Sequence, residues 1–187
     1  MESSYQQTDE SAVYYQDEIL PRLGNTSAGS PTLSRTREAI RATLAVVLDG
    51  ESVAELRVLG SKNGIISGYY DDYDALARDA ATLDGQGDGV YVTLNPVQPD
   101  LLARAKNRVK KYAQHTTGDN DIRRLRWLFI DLDPVRPSGI SSTEDEHTAA
   151  LTLAQQIGDA LRQQGWPAPV LADSGNGAHL LYRIDCV

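Results

Sequence analysis

Trp127-Leu128-Phe129-Ile130-Asp131-Leu132-Asp133-Pro134 is an apolar run that ends in two aspartates one residue apart. Side chains alternate along an extended chain, so both carboxylates leave the end of this strand on the same side. Pro134 has no N–H to give to a ladder, and regular pairing is expected to stop there. Two carboxylates held side by side repel unless a cation comes between them. The pair therefore binds a hard, oxygen-seeking ion such as Mg²⁺ or stays hydrated, and Asp-x-Asp taken alone does not decide which.

Downstream, Thr143 followed by Glu146 is the reciprocal capping pattern of a helix start. Ala150, Ala154, Ile157 and Leu161 recur at helical spacing and Gly165 ends the run, so a helix is predicted from Thr143 to Gln164. A strand over Val170 to Ala172 leads into Asp173-Ser174-Gly175-Asn176-Gly177-Ala178-His179-Leu180-Leu181-Tyr182, a glycine-rich turn that delivers a histidine to a second strand, His179 to Ile184. Such a turn lets backbone N–H groups converge on an anion, with Ser174 and His179 as further donors. Without its neighbours, it reads more readily as a hairpin loop with a surface histidine. The order β-α-β-β is the first part of the split β-α-β sheet of ferredoxin-like and RNA-recognition-motif domains. In that order the strand ending at Asp133 and the strand starting at His179 can be neighbours. Metal and phosphate sites would then face one cleft, as nucleotidyl transfer requires.

Towards the N-terminus, residues 1–32 are rich in Ser, Gln, Thr, Asp and Glu, with too little apolar content to bury. A disordered tail is expected there, with at most a short turn near Val13 to Leu20. From Leu33, with Ser34 as a cap, Ile40, Leu44, Val47 and Leu48 form one apolar stripe that stops at Asp49-Gly50. Val53 to Leu59 and Ile65 to Tyr70 flank a loop containing Asn63-Gly64, which predicts a hairpin. A helix over Tyr73 to Leu83, a strand over Val90 to Leu94 and a helix over Pro99 to Gln114 follow. The expected fold class is α+β: the tail (1–32), an N-terminal α/β module (33–122) and a catalytic module (123–187).

The chain of 187 residues is long enough for one sizeable core or two small modules, and it carries a net charge of −8. That balance argues against indiscriminate binding to phosphate backbones, so a nucleic-acid enzyme of this composition must concentrate its cations. It does so between Arg104 and Arg126, where eight of the 18 Lys and Arg residues face only Asp119 and Asp121, a net of +6. On charge alone this reads as a helix with a solvated basic face. A single cysteine, Cys186, excludes an internal disulfide. Neither a leader-like start nor an apolar run of membrane-spanning length is present, and a soluble, cytoplasmic protein is expected.

Together these motifs carry a resemblance. Asp131-x-Asp133, then Pro134-x-Arg136-Pro137-Ser138-Gly139, Ser142-Thr143-x-x-Glu146 and Ser174-Gly175-x-Gly177-x-His179-Leu180-Leu181-Tyr182 are similar to the primase-polymerases of phages, plasmids and other mobile elements, in the archaeo-eukaryotic primase superfamily. The similarity extends upstream through Glu55-Leu56-Arg57, Ser67 to Asp72 and Val90 to Pro96, so it spans most of the chain. The resemblance implies a primase-like core with an incomplete RNA-recognition-motif-like catalytic module. It makes Asp131 and Asp133 ligands of Mg²⁺ or Mn²⁺ and His179 a contact to the incoming nucleotide's triphosphate. Ser174, Gly175 and Gly177 would shape the phosphate loop, and Arg57 would touch phosphate or template. Its chemistry would be two-metal transfer of a nucleotide to a 3′-hydroxyl, with a DNA template and primer, an NTP or dNTP, and a helicase domain or subunit as partners.

Two departures are visible. Much of the superfamily carries a serine two residues before the histidine, whereas this chain has Gly177 there and Ser174 five before. The family also implies a third carboxylate on a later strand, which the chain does not reach; truncation is expected, and Asp185, on the His179 side of its strand by period-two counting, is the substitute within the chain. His147 and His115 lack partners at ligand spacing and read as solvated, while Asn95 and the Thr116-Thr117-x-Asp119 loop would border the cleft. The alternative function is a nucleotide or single-stranded nucleic-acid binding module without turnover. A replication-initiator nuclease ranks lower, because it needs paired histidines and His179 has no such partner.

Overall fold

A computed structural model describes residues 14–15, 31–48, 50, 52–137 and 139–186. The chain is mixed α+β, with two small sheets. In chain order the elements are β1 (Tyr14–Tyr15), α1 (Pro31–Val47), β2 (Ala54–Leu59), β3 (Ile66–Tyr70), α2 (Tyr73–Leu83), β4 (Gly89–Val92), β5 (Leu125–Leu132), α3 (Glu144–Gln163), β6 (Val170–Asp173) and β7 (Ala178–Cys186), with short 3-10 turns at Pro99–Arg104 and Asp119–Asp121. They fall into two compact units. One holds 128–183 and the β1 residues; the other holds the described residues from 31 to 127 together with 184–186.

In the larger unit the predicted hairpin forms. β2 pairs antiparallel with β3 and with β4, giving the order β3-β2-β4. Gly64 supplies the positive φ (64°) that the turn needs. One face of this sheet is apolar and packs on α1 and α2 through Leu44, Leu56, Val58, Ile66, Tyr70 and Leu76. α2 starts where Asp72 accepts hydrogen bonds from the N–H groups of Asp74 and Ala75. α1 begins at Pro31, three residues before the expected Ser34 cap, and Ser34 instead donates to Glu38. Proline is favoured in the first helical turn because its φ is already set and its missing N–H is not needed there.

Two expectations are corrected. The helix over Pro99 to Gln114 does not form beyond Arg104. Ser67 N–H donates to Lys110 O, Lys110 N–H to Ser67 O, Asn107 N–H to Tyr69 O and Ala113 N–H to Ile65 O. The basic stretch is thus laid along the free edge of β3. Val109 alone between Lys106 and Tyr112 packs on the apolar core. A helix through this charge run would have almost nothing to bury, whereas the sheet edge offers partners for its backbone. The second correction is in the tail, where Tyr14 and Tyr15 pair parallel with Leu171 and Ala172 of β6. Aromatic residues favour strands, and the edge of β6 was open to them. The rest of the expected tail, with most of the turn near Val13 to Leu20, lies outside the described residues.

In the smaller unit β5, α3, β6 and β7 follow one another, and the sheet order β1-β6-β7-β5 places β7 between the two strands that α3 joins. β6 and β7 are antiparallel. Ile130 and Leu132 of β5, Ala154 and Ile157 of α3, and Leu180 and Tyr182 of β7 share one core. Thr143 and Glu146 form the expected reciprocal cap of α3. No helix among the described residues is long and apolar enough to cross a membrane.

Candidate functional site

Because Ile130 and Leu132 point into the core under α3, the residues between and beside them, Phe129 and Asp131, emerge on the opposite face of the sheet. The same alternation on β7 sends Ala178 and Leu180 inward and His179 outward. Since β7 and β5 are neighbours, the outward residues meet. His179 Nε2 lies 3.4 Å from Asp131 Oδ1, and the His179 and Phe129 rings are tilted against each other with centroids 4.9 Å apart. Asp131 is more than half exposed and His179 about a third. A carboxylate, an imidazole and an aromatic ring thus share one solvent-facing patch.

Asp133 follows at the end of the strand and is held differently. Arg136 donates from Nη2 to its Oδ2 at 3.0 Å and from Nη1 to Ile140 O at 2.7 Å, so one guanidinium ties the carboxylate to the following loop. A cation already compensates this aspartate, and it remains about half exposed. Arg136 was visible in the sequence only as part of the family-like string after Asp133.

The glycine turn lies against the aspartate strand. A Cβ at Gly177 would come within 2.2 Å of Leu132 O and 3.0 Å of Asp133 Oδ1, so only glycine permits this approach. A serine has no room at this position. Ser174 closes the turn instead: its Oγ accepts from Gly177 N–H and its N–H donates to Gly177 O. Gly175, at φ 75°, donates its N–H to Asp173 Oδ1. The N–H groups of Ser174, Gly175 and Gly177 are therefore spent inside the turn, and the Ser174 hydroxyl proton remains for a ligand. Replacing Gly177 with Ser or Ala is expected to destabilise the fold by about 1–3 kcal/mol, because the obstacle is backbone rather than a movable side chain. Chemical denaturation of the variant checks it.

Two contacts were not foreseen. His147 Nε2 lies 2.8 Å from Asp173 Oδ1, with both side chains about one-fifth exposed, so His147 is not the solvated residue expected from spacing. Asn176 Oδ1 accepts from Ser142 N–H at 3.0 Å. Both tie the entry of α3 to the glycine turn and hold the turn against β5. Only three-dimensional packing brings 147 to 173, so no local signal announces it.

The remaining expected residues lie elsewhere. Arg57 sits on β2 in the larger unit, where its Nη2 donates to Glu55 Oε2 (2.6 Å) and to Thr117 O (3.0 Å). Glu55 is fully buried there. Burial by itself would raise its pKa, but hydrogen bonds from Arg57, Ser67 and Thr117 together outweigh that and pull it below the usual carboxylate range. Asn95 accepts from the N–H groups of Arg126 and Trp127, a backbone-holding role. Asp185 belongs to the larger unit, adopts φ 47° and lies 4.0 Å from Arg124.

The donor set suits a hard divalent ion. Asp131 and Asp133 offer exposed carboxylate oxygens from one strand end, and Mg²⁺ characteristically takes one or two carboxylates and fills its shell with water and substrate phosphate. No cluster of three or more His, Cys, Asp or Glu suited to a metal occurs among the described residues. Comparison of the chain with protein-family models, with curated proteins and with solved structures returns no match.

Proposed function

We propose that the chain is the catalytic core of a primase-polymerase, a template-dependent nucleotidyltransferase working on DNA. The observation that carries the reading is the convergence of Asp131 and His179 at 3.4 Å on one open sheet face, with Asp133 and the glycine turn packed at the same strand end. The order β5-α3-β6-β7, with β7 central, is also that of the first part of a split β-α-β sheet, which supports an RNA-recognition-motif-like catalytic module of the primase type.

In this reading Asp131 and Asp133 hold Mg²⁺ or Mn²⁺, which supplies activation of a 3′-hydroxyl and charge neutralisation on the leaving pyrophosphate. Arg136 keeps the Asp133 carboxylate aimed along the strand end. His179, braced by Phe129, donates to a phosphate oxygen of the incoming nucleotide, and the Ser174 hydroxyl gives a second donor. Close packing of Gly177 on Leu132 keeps these phosphate donors beside the carboxylates. The second reading, nucleotide or single-stranded nucleic-acid binding without turnover, draws on the Arg136–Asp133 pair, which compensates one carboxylate without any metal.

Titration of a fluorescent nucleoside triphosphate into the chain with Mn²⁺ tests the assignment. Binding that requires Mn²⁺ and weakens about tenfold in His179→Ala, the loss of one charge-assisted hydrogen bond, is the expected result. Metal-independent binding that ignores His179 would remove the catalytic reading.

A further inference from the structure

We propose that Phe129 carries the base of the nucleotide whose phosphates meet Asp131 and His179, stacking on it without regard to which base it is. The proposal rests on the nucleotidyl-transfer reading above and deepens it, because that reading accounts for the phosphates and leaves the nucleoside without a place on the chain. Every residue involved belongs to the smaller unit. Phe129 is the one phenylalanine of the sequence, and it is 46% exposed, while Ile130 and Leu132 beyond it on β5 pack into the core under α3.

The direction a nucleoside takes follows from what surrounds the phosphate donors. Beyond Asp131 the strand end is occupied, since Asp133 is tied to Arg136 and the backbone of Gly177 lies directly against Leu132 O. On β7, alternation puts Leu181 on the same face as His179, and Leu181 is buried. The open surface beside Asp131 and His179 is therefore that of Phe129, back along β5. Phe129 stands two residues before Asp131 on the same face, about 7 Å away at the rise of a strand. A ribose spans a comparable gap between an α-phosphate and its base.

The chemistry of the ring suits a base better than any other part of a nucleotide. It is tilted 56° against His179 with centroids 4.9 Å apart, so it is held from one side, and its exposed remainder offers a π-face to a second ring. Phenylalanine has no donor or acceptor. Contact with it does not distinguish one base edge from another, whereas every base has a π-face to give. An enzyme directed by a template needs that indifference, because the template and not the protein must choose the base. Tyr182 and Trp166, another aromatic pair of this unit, are directed elsewhere: Tyr182 is fully buried in the core under α3 and Trp166 packs edge-on against it.

The test compares dATP and dCTP with inorganic tripolyphosphate, each titrated with Mn²⁺ into the intact chain and its variants by calorimetry. Phe129→Leu, which keeps bulk but has no π-face, is expected to weaken both nucleotides about tenfold and to leave tripolyphosphate unchanged. His179→Ala is expected to weaken all three. Phe129→Trp is expected to retain nucleotide affinity, with a fluorescence that nucleotide quenches and tripolyphosphate does not. Unchanged thermal midpoints establish that the variants fold. A Phe129→Leu protein that keeps its nucleotide affinity overturns the proposal. So does one that loses tripolyphosphate to the same degree, which would make Phe129 only a brace for His179. Tripolyphosphate binding that requires Mn²⁺ and His179, with nucleotides bound no more tightly, removes this proposal and leaves the phosphate and metal assignments standing. Absence of Mn²⁺-dependent binding by nucleotide and tripolyphosphate alike removes the nucleotidyl-transfer reading and this proposal with it.

Discussion

Asp131→Ala is expected to reduce Mn²⁺-dependent primer extension at least a thousandfold. On the proposed reading the substitution removes one of two protein ligands, and the charge stabilisation a catalytic metal supplies is worth several kcal/mol, each 1.36 kcal/mol being about tenfold in rate. Asp131 is more than half exposed on the outward face of β5 and meets the partly exposed His179 ring, so removing its carboxylate leaves no buried group unpaired. The fold should survive, and loss of activity would report chemistry rather than unfolding. Asp133→Ala is expected to be as inactive but less innocent, because it also releases the Arg136 guanidinium, which now holds the strand end to Ile140. Primer extension on a labelled DNA template, beside a thermal melt of each variant, separates the two effects. An Asp131→Ala protein that extends within tenfold of the parent would exclude this carboxylate from the reaction.

Glu55→Ala is expected to destabilise the larger unit by about 3 kcal/mol, within the range for breaking a buried ion pair. The Glu55 side chain is fully buried and accepts from Arg57, from the Ser67 hydroxyl and from Thr117 N–H, so truncation orphans three donors at once. Arg57 is about one-quarter exposed and can be partly hydrated, which keeps the cost from rising higher. For a chain of this length 3 kcal/mol corresponds to a fall of roughly 6–12 °C in the thermal midpoint. The depressed pKa also gives a direction with pH. An unfolded glutamate takes up its proton near pH 4.5, and the folded one only at lower pH. The stabilisation by Glu55 is therefore complete above about pH 4.5 and is lost as pH falls through the folded value. Urea denaturation at neutral and acidic pH should show the gap between parent and Glu55→Gln narrowing on acidification. A gap that widens would mean that Glu55 is not the charged acceptor of this cluster.

The elements that local pattern announces strongly are where the pattern places them. Tyr73–Leu83 has Asp72 as its cap, Asn63-Gly64 turns a hairpin, and Thr143 with Glu146 starts α3. Each depends on contacts only a few residues apart, which is why they are legible. The segment from Ala105 to Ala113 departs from the helix that its proline start and solvated basic face predict, because charges can be solvated in any backbone conformation. What decided it was the open edge of β3, a partner some forty residues earlier in the chain. The partner of His147 is likewise distant in sequence, Asp173 standing 26 residues away.

By itself the sequence determined that Asp131 and Asp133 leave a strand end on one side, that a glycine turn precedes His179, and that the cations gather between Arg104 and Arg126. These follow from period and composition, which are properties of neighbouring residues. Only the tertiary structure decided that β7 lies beside β5, bringing His179 to Asp131, and that Gly177 must be glycine because Leu132 O occupies the space of a side chain. It also decided that Ala105 to Ala113 is laid along the edge of β3 rather than coiled into a helix. The physical reason is common to all three: strand neighbours and close backbone approaches are set by which distant surfaces bury one another, and no local spacing encodes that choice.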